Sequence, residues 1–275
     1  MAATTKPSTP TPLPSTVTLL IVCPDQVGIV ASLTSFVVKY GGNLRDVDFH
    51  TDHEEGLFLG RLEWGLDKFT LSRSDIRPAI DGLCSPLGGR YELHFSDQKQ
   101  RVALFVSLQD HCMLDLLWRD RLSDVNAEVA LVISNHETLR GEVEHYGIPF
   151  HVFKITKANK YEQEQAELAL LKEQKIDLVV MAKYMQIISD SFLRSFPNAH
   201  ARGVKLIGAT AHFATPELDA GPIIEQEVVR VSHRDTVDDL VRKGKDVERV
   251  VLGRAVRLHL LHRVLTYGNK TVVFE

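Results

Sequence analysis

The 275-residue sequence predicts an α/β protein made of two domains. After a short leader, about eighty residues read as strands and helices in the order βαββαβ, and in the remainder strands alternate with helices. The second pattern predicts a mostly parallel sheet with helices on both of its faces. Hydrophobic residues make up 44% of the chain and charged residues 25%, which is a globular composition and excludes extended disorder outside the ends.

Charge and cysteine content exclude several classes of protein. The net charge is −4 and neither predicted domain is basic, so we expect no nucleic-acid partner. Apolar runs are shorter than the roughly 18 residues that cross a bilayer, so no membrane partner is expected either. Three cysteines without a Cys-x-x-Cys pair indicate a reducing compartment, for which we expect the cytoplasm, and no thiolate metal site.

The first 16 residues are predicted to be a disordered leader because they hold four prolines among Ser and Thr. They lack the apolar stretch of a secretory signal, and a weak organellar targeting leader is the alternative interpretation.

The first domain is predicted over residues 17–96. Apolar, β-prone runs and helical spacing of apolar residues place strands at 17–23, 44–51, 57–64 and 91–95, and helices at 29–40 and 72–83. This order is the split βαβ, or ferredoxin-like, arrangement. The polar joint 97–100 marks the boundary.

The second domain is predicted over residues 97–275. Strands are expected at 102–107, 128–133, 150–155, 177–181, 205–213, 223–231 and 270–274, with helices at 113–122, up to 144, 162–174, 190–196 and 237–261. Active sites on parallel sheets lie beyond the carboxyl ends of the strands. The candidate loops are therefore 107–112, 134–136 and 182–189.

Asp219 is the acidic residue that its local sequence favours as a functional group. It lies on a Gly-Pro turn between two β segments, a rigid support whose apolar neighbours would partly desolvate a general base or water-orienting group. The alternative is a turn aspartate that bonds its own backbone. The common nucleotide, dinucleotide, serine-hydrolase and zincin motifs are missing from the sequence. The charged stretch 242–257 is predicted to be a solvated helix face.

Several long motifs resemble formyltetrahydrofolate deformylases: residues 109–112, 133–136, 182–187, 203–213 and 218–226, together with 23–30, which resembles the opening of an ACT domain. The resemblance implies a regulatory ferredoxin-like ACT domain followed by a formyltransferase-type α/β catalytic domain. It further implies hydrolysis of 10-formyltetrahydrofolate to tetrahydrofolate and formate, which feeds one-carbon and purine metabolism. No cofactor is expected, since folate is the substrate.

The resemblance also assigns roles to individual residues. Asp219 matches the catalytic aspartate, which positions or activates the water and keeps a neighbouring histidine protonated. The other positions are expected to bind folate (Met181, Ala182, Tyr184, Met185, Ile187), to support the site (His212, Asp110, His111) and to bind an amino-acid effector on the ACT domain (Asp25, Gly28, Ile29). No metal is expected, and ACT domains imply a homo-oligomer.

One departure from the family affects the chemistry. The strand that carries the family's catalytic Asn-x-His is missing between Asn198 and Ala199, so we expect a gap in the central sheet and impaired hydrolysis. Asn198-Ala199-His200 repeats the spacing, but it follows a predicted helix and is not expected to substitute. A catalytically silent folate- or amino-acid-binding protein, a segment lost through a flawed gene prediction, and formyl transfer to an amine are the alternatives.

Overall fold

The computed structural model describes residues 15–121, 127–189, 191–192, 199–202, 208–217, 219–230 and 236–274. The chain divides into two compact units between Asp97 and Gln98, one residue after the predicted boundary. Of the predicted leader, only Ser15 and Thr16 are described, and Thr16 already belongs to the first strand. Within the described ranges, no helix is both long and apolar enough to cross a membrane.

The first unit has the predicted order βαββαβ. Its four strands form an antiparallel sheet in the order β2-β3-β1-β4. The strands are β1 (Thr16–Pro24), β2 (Asn43–Asp52), β3 (Leu57–Gly65) and β4 (Arg90–Phe95), and the helices are α1 (Ile29–Lys39) and α2 (Arg73–Cys84). Both helices bury apolar stripes in one core that also contains Trp64.

In its described ranges, the second unit is built on a seven-stranded sheet in the order β11-β10-β9-β8-β5-β6-β7. Its strands are β5 (Gln100–Val106), β6 (Ala127–Ser134), β7 (Phe150–Val152), β8 (Leu178–Met181), β9 (Ala199–Arg202), β10 (Gly208–Phe213) and β11 (Ile223–Val228). Strands β5 to β9 run parallel, whereas β10 is antiparallel to both of its neighbours. The predicted mostly parallel α/β class is confirmed.

Helices of the second unit alternate with these strands, as the sequence predicts. They are α3 (His111–Arg121), α4 (Arg140–His145), α5 (Lys160–Glu173) and α6 (Val237–Leu260). Helix α6 begins with a capping box in which Thr236 and Asp239 each bond the other's backbone N–H, and this fixes its first turn. Of the predicted helix 190–196, only residues 191–192 are described.

The expected gap in the central sheet does not occur. Strand β9 lies between β8 and β10 and pairs in parallel with Val179 and Val180, and in antiparallel with residues 211–213. Unpaired backbone groups on the two flanking strands would be costly, and four residues in extended conformation satisfy part of that need. The sheet is therefore continuous, although Asn198 itself lies outside the described residues.

The last described residues form a two-stranded hairpin, of which only the second strand was predicted. The expected terminal strand is β13 (Lys270–Val273), and it pairs with β12 (Val264–Tyr267), whose apolar run the sequence analysis did not interpret as a strand. The turn between them places Asn269 and Lys270 beside the start of β11, where the Thr271 hydroxyl donates to the carbonyl of Ile223.

Candidate active site

A cleft of about 510 Å³ surrounds Asp219. Its walls come from β10, the turn after it, the start of β11 and the terminal hairpin, and the lining residues are Thr210, His212, Asp219, Ala220, Gly221, Ile223, Asn269, Lys270 and Thr271. The side chain of Asp219 is 42% exposed, so it is only partly removed from water. A carboxylate that faces an open cleft can still accept a proton from water or orient it.

His212 is the histidine that faces Asp219. Its Nδ1 lies 2.8 Å from the carbonyl oxygen of Phe213, so Nδ1–H donates to that carbonyl and fixes the ring. Nε2 then points at Asp219, with 3.6 Å to Oδ1. Nε2 is buried, and in the described part of the chain it has no hydrogen-bond partner. The structure therefore brings together the predicted catalytic aspartate and its predicted supporting histidine.

Gly221 explains why a glycine-proline turn supports this pair. A Cβ at position 221 would lie 1.8 Å from the carbonyl oxygen of Phe213, which is the acceptor that holds His212. Phe213 in turn donates its N–H to the carbonyl of Pro222, at 3.0 Å. The bare backbone at Gly221 therefore lets the turn pack directly on the end of β10. Asp219 itself adopts a left-handed conformation, with φ of 57°.

The three predicted loops at the carboxyl ends of the parallel strands meet in the structure. The Ser107 hydroxyl donates to Asn135 Oδ1 at 2.6 Å, and the backbone N–H of Met185 donates to Ser107 Oγ at 3.2 Å. Ser107 therefore links the loops after β5, β6 and β8. The sequence predicts that these loops lie together, but Ser107 and Asn135 are not among the individually predicted site residues.

Residues 181–187 divide into buried supports and exposed apolar side chains. Met181, Ala182 and Tyr184 are at most 7% exposed and their side chains belong to the core. Their predicted role in folate binding stays a prediction. Met185 and Ile187 are 66% and 65% exposed. These two side chains are thus the ones in this segment that a flat aromatic ligand can reach.

A buried carboxyl holds Tyr184 in the core. Its hydroxyl donates to Glu167 Oε1 at 3.1 Å, and both side chains lie between α5 and the sheet. The pKa of Glu167 is raised to about 7, chiefly by burial and to a lesser degree by neighbouring Glu164, against the lowering effect of the Tyr184 hydrogen bond. Burial likewise raises the pKa of Tyr184. Glu164 accepts from the backbone N–H and the hydroxyl of Ser189, at the far end of the same loop.

His111 and Asp110 lie at the start of α3. Asp110 is exposed, and its carbonyl accepts from the N–H of Leu114 at 2.8 Å. His111 Nε2 lies 3.0 Å from Glu248 Oε2, and the second oxygen of Glu248 lies 2.5 Å from Lys183 Nζ. Glu248 is on α6, within the stretch predicted to be a solvated face, and for this residue that prediction is wrong.

Two buried carboxylates were not predicted, although their spacing along the helix could have revealed them. Glu164 and Glu167 share the buried stripe of α5 with Leu171, at intervals of three and four residues. A carboxylate on a buried stripe needs a partner inside the fold, so this spacing is the signal of an internal polar contact.

The predicted effector residues of the first unit lie around the start of α1. Gly28 has φ of 94° and its carbonyl accepts from Ser32, so it begins the helix. Asp25 is exposed and donates its N–H to the carbonyl of Gly56, whereas Ile29 is buried in the core. Asp25 and Gly28 thus remain accessible to a ligand, and Ile29 does not.

Known proteins of similar sequence and structure identify the family. The chain is 55% identical to a formyltetrahydrofolate deformylase of Synechocystis sp., over 94% of this chain and 98% of the relative. The chain belongs to the formyltetrahydrofolate deformylase family. The corresponding protein of Bacillus subtilis is 39% identical over 94% of this chain and 93% of its own length. A crystal structure of a formyltetrahydrofolate deformylase from Pseudomonas syringae pv. tomato superposes with a TM-score of 0.91 at 38% identity, covering 95% of each chain.

The comparison with the family also locates the departure. The Formyl transferase family model matches in two stretches, residues 100–200 and 196–256, which meet at residues 196–200. The Synechocystis alignment spans 279 positions, yet it includes 94% of this 275-residue chain, which is about 258 residues. The alignment is therefore about 20 positions longer than the part of this chain that it includes, so at about 20 positions the relative has a residue and this chain has none. The two matched stretches meet at the place where the family's Asn-x-His segment is expected to be missing.

Replacing Glu167 with Gln should make unfolding less dependent on pH. Because its pKa rises from 4.5 to about 7 on folding, ionised Glu167 costs stability as pH increases through that interval. At about 1.4 kcal/mol per unit, the cost at pH 8 is on the order of 3 kcal/mol. We expect Glu167→Gln, which keeps an acceptor for Tyr184, to raise the thermal midpoint at pH 8 and leave it nearly unchanged at pH 4.5.

Glu173→Gln, at an exposed position of the same helix, is the matched control and should follow the wild type at both pH values. Equal midpoint changes at pH 4.5 and pH 8 for Glu167→Gln would contradict the assignment.

Proposed function

We propose that this chain binds 10-formyltetrahydrofolate and hydrolyses it to tetrahydrofolate and formate at a rate far below that of its relatives. The substrate is inferred from the 55% identity to a formyltetrahydrofolate deformylase across nearly the whole chain. The reduced rate is inferred from the break in the family match at residues 196–200.

The reaction needs a water oxygen to add to the formyl carbon, after which the bond from that carbon to N10 breaks. Formate leaves, and N10 takes a proton. Asp219 is suited to the first step because its carboxylate faces the cleft and can accept the proton of the attacking water. His212, fixed through Nδ1, places Nε2 at 3.6 Å from Oδ1 of the same carboxylate.

Addition of water also builds negative charge on the formyl oxygen. Hydrogen-bond donors are required to stabilise that charge, and this chain meets that requirement less well than its relatives. A preorganised amide or imidazolium donor normally stabilises such an oxyanion, and removal of one donor costs on the order of 10²–10³ in rate. The family's Asn-x-His motif is missing from this sequence between Asn198 and Ala199. With both donors gone, the Asp219–His212 pair can activate water without stabilising the product of its attack.

A silent folate-binding protein is the second candidate function. It is favoured by β9, which keeps the sheet continuous across the break, so that loss of the motif does not imply loss of the fold. The exposed Met185 and Ile187 and the cleft near Asp219 are present in either case. The two candidates differ only in turnover.

The first unit supports two further proposals. Its ferredoxin-like sheet and the accessible Asp25 and Gly28 suit an ACT domain that binds an amino-acid effector.

ACT domains pair through sheets or helices, so we propose a homo-oligomer. Light scattering at micromolar concentration should give at least a dimer. A monomer at that concentration would contradict it. Cytoplasmic location and a role in one-carbon and purine metabolism are proposed on the substrate alone.

Formate release from 10-formyltetrahydrofolate tests the proposed function. We expect the 275-residue chain to be at least about 10²-fold slower than the Synechocystis relative assayed beside it. Asp219→Asn should abolish the residual rate, whereas Glu217→Gln, an exposed neighbour, should not change it. Full turnover that Asp219→Asn abolishes would show that the missing donors are replaced within this chain.

Restoring the missing segment is the complementary measurement. Insertion of the relative's segment between Asn198 and Ala199 should raise formate release by at least the same factor. An inserted chain that folds and binds tetrahydrofolate but stays slow would contradict the assignment of the defect to this segment.

A further inference from the structure

A single carboxylate on α6 holds two loops of the second unit. Glu248 is mostly buried, with its side chain 20% exposed. Oε1 lies 2.5 Å from Lys183 Nζ, and Oε2 lies 3.0 Å from Nε2 of His111, which donates to it. Lys183 follows β8, and His111 begins the helix that follows β5. The carboxylate therefore connects a helix 65 residues away in sequence to the segment that carries Met185 and Ile187.

Lys183 adopts a backbone conformation that this contact helps to maintain. Its φ is 64°, in the left-handed region that residues other than glycine, Asn and Asp rarely occupy. Lys183 is also only 8% exposed, and an ammonium group so far from water requires an opposite charge. Glu248 supplies that charge, so the ion pair and the chain reversal at Lys183 are coupled.

The residue after Lys183 is held on the other face of the sheet. Ala182, just before the reversal, continues the sheet by donating its N–H to the carbonyl of Phe105 at 2.9 Å. Tyr184, just after it, packs in the core on the α5 side and donates to Glu167. Lys183 bonds α6 instead. With its neighbours held by α5 and α6, the segment presents Met185 and Ile187 to solvent in one arrangement.

We propose that Glu248 is a positioning residue for folate: it holds Lys183 and His111 so that the loop after β8 presents Met185 and Ile187 to the ligand. This inference rests on the proposed function, because it takes folate as the ligand. Glu248 is argued to act through the loop and does not itself touch the substrate.

A metal ion is the competing interpretation of the same cluster. Ligand atoms of His111, Cys112 and Glu248 lie within 4.8 Å of one another. However, the Lys183 ammonium already lies against Glu248, and its positive charge would repel a divalent cation bound to the same carboxylate. The cluster is better suited to an internal cation, which is the side chain of Lys183.

Equilibrium binding of tetrahydrofolate, measured by calorimetry on the full chain, tests the proposal without requiring turnover. We expect Glu248→Gln to weaken binding at least about tenfold, which corresponds to about 1.4 kcal/mol. Asp246→Asn is the matched control, because Asp246 is exposed on the same helix and loses the same charge. Lys183→Met should resemble Glu248→Gln, whereas Lys183→Arg, which keeps the charge, should bind within about threefold of the wild type.

The outcomes distinguish failure of the proposed function from failure of the positioning role of Glu248. If the wild type does not bind tetrahydrofolate, the proposed function fails. If the wild type binds and Glu248→Gln binds equally well, the function stands and the positioning role is overturned. A double variant, Lys183→Met with Glu248→Gln, that is as weak as either single variant supports one shared linkage, whereas fully additive losses contradict it. Stoichiometric zinc in the purified protein would also overturn the proposal.

Discussion

The reversal of the chain after β8 is the constraint on which the candidate folate site depends. Lys183 turns the backbone through a left-handed conformation and is buried, and it can do so because Glu248 lies against its ammonium group. Tyr184 enters the opposite core and bonds Glu167. Met185 is then fixed by its own N–H on Ser107. Three polar contacts from three elements thus set the position of two exposed apolar side chains.

The fold and the proposed chemistry make different demands at the place where the two matched stretches of the family meet. Strand β9 supplies backbone partners to β8 and β10, which is all that the sheet requires there. Catalysis requires more, namely donors aimed at the formyl oxygen, and a four-residue strand does not provide them by being a strand. Membership of the family therefore establishes the architecture of this chain, whereas its reduced turnover stays a prediction.

Much of the architecture could be predicted from the sequence because it depends on local pattern. The βαββαβ order and the alternation of the second unit follow from periodicity and turn residues, and the resemblance located Asp219 and His212. Strand β9 could not be predicted, since its existence depends on unpaired neighbours and not on its own residues. Glu248 could not be predicted either, because its partners lie 65 and 137 residues away and its own helix pattern looks solvated.

Amide hydrogen exchange of the free protein tests most directly whether the loop after β8 is held by the chain itself. The N–H of Ala182 bonds Phe105, and that of Met185 bonds Ser107, without any ligand. We expect both amides to be protected in the absence of folate, and to gain little protection when tetrahydrofolate is added. Exchange of both at the rate of an unstructured peptide, followed by protection only with folate, would contradict the account.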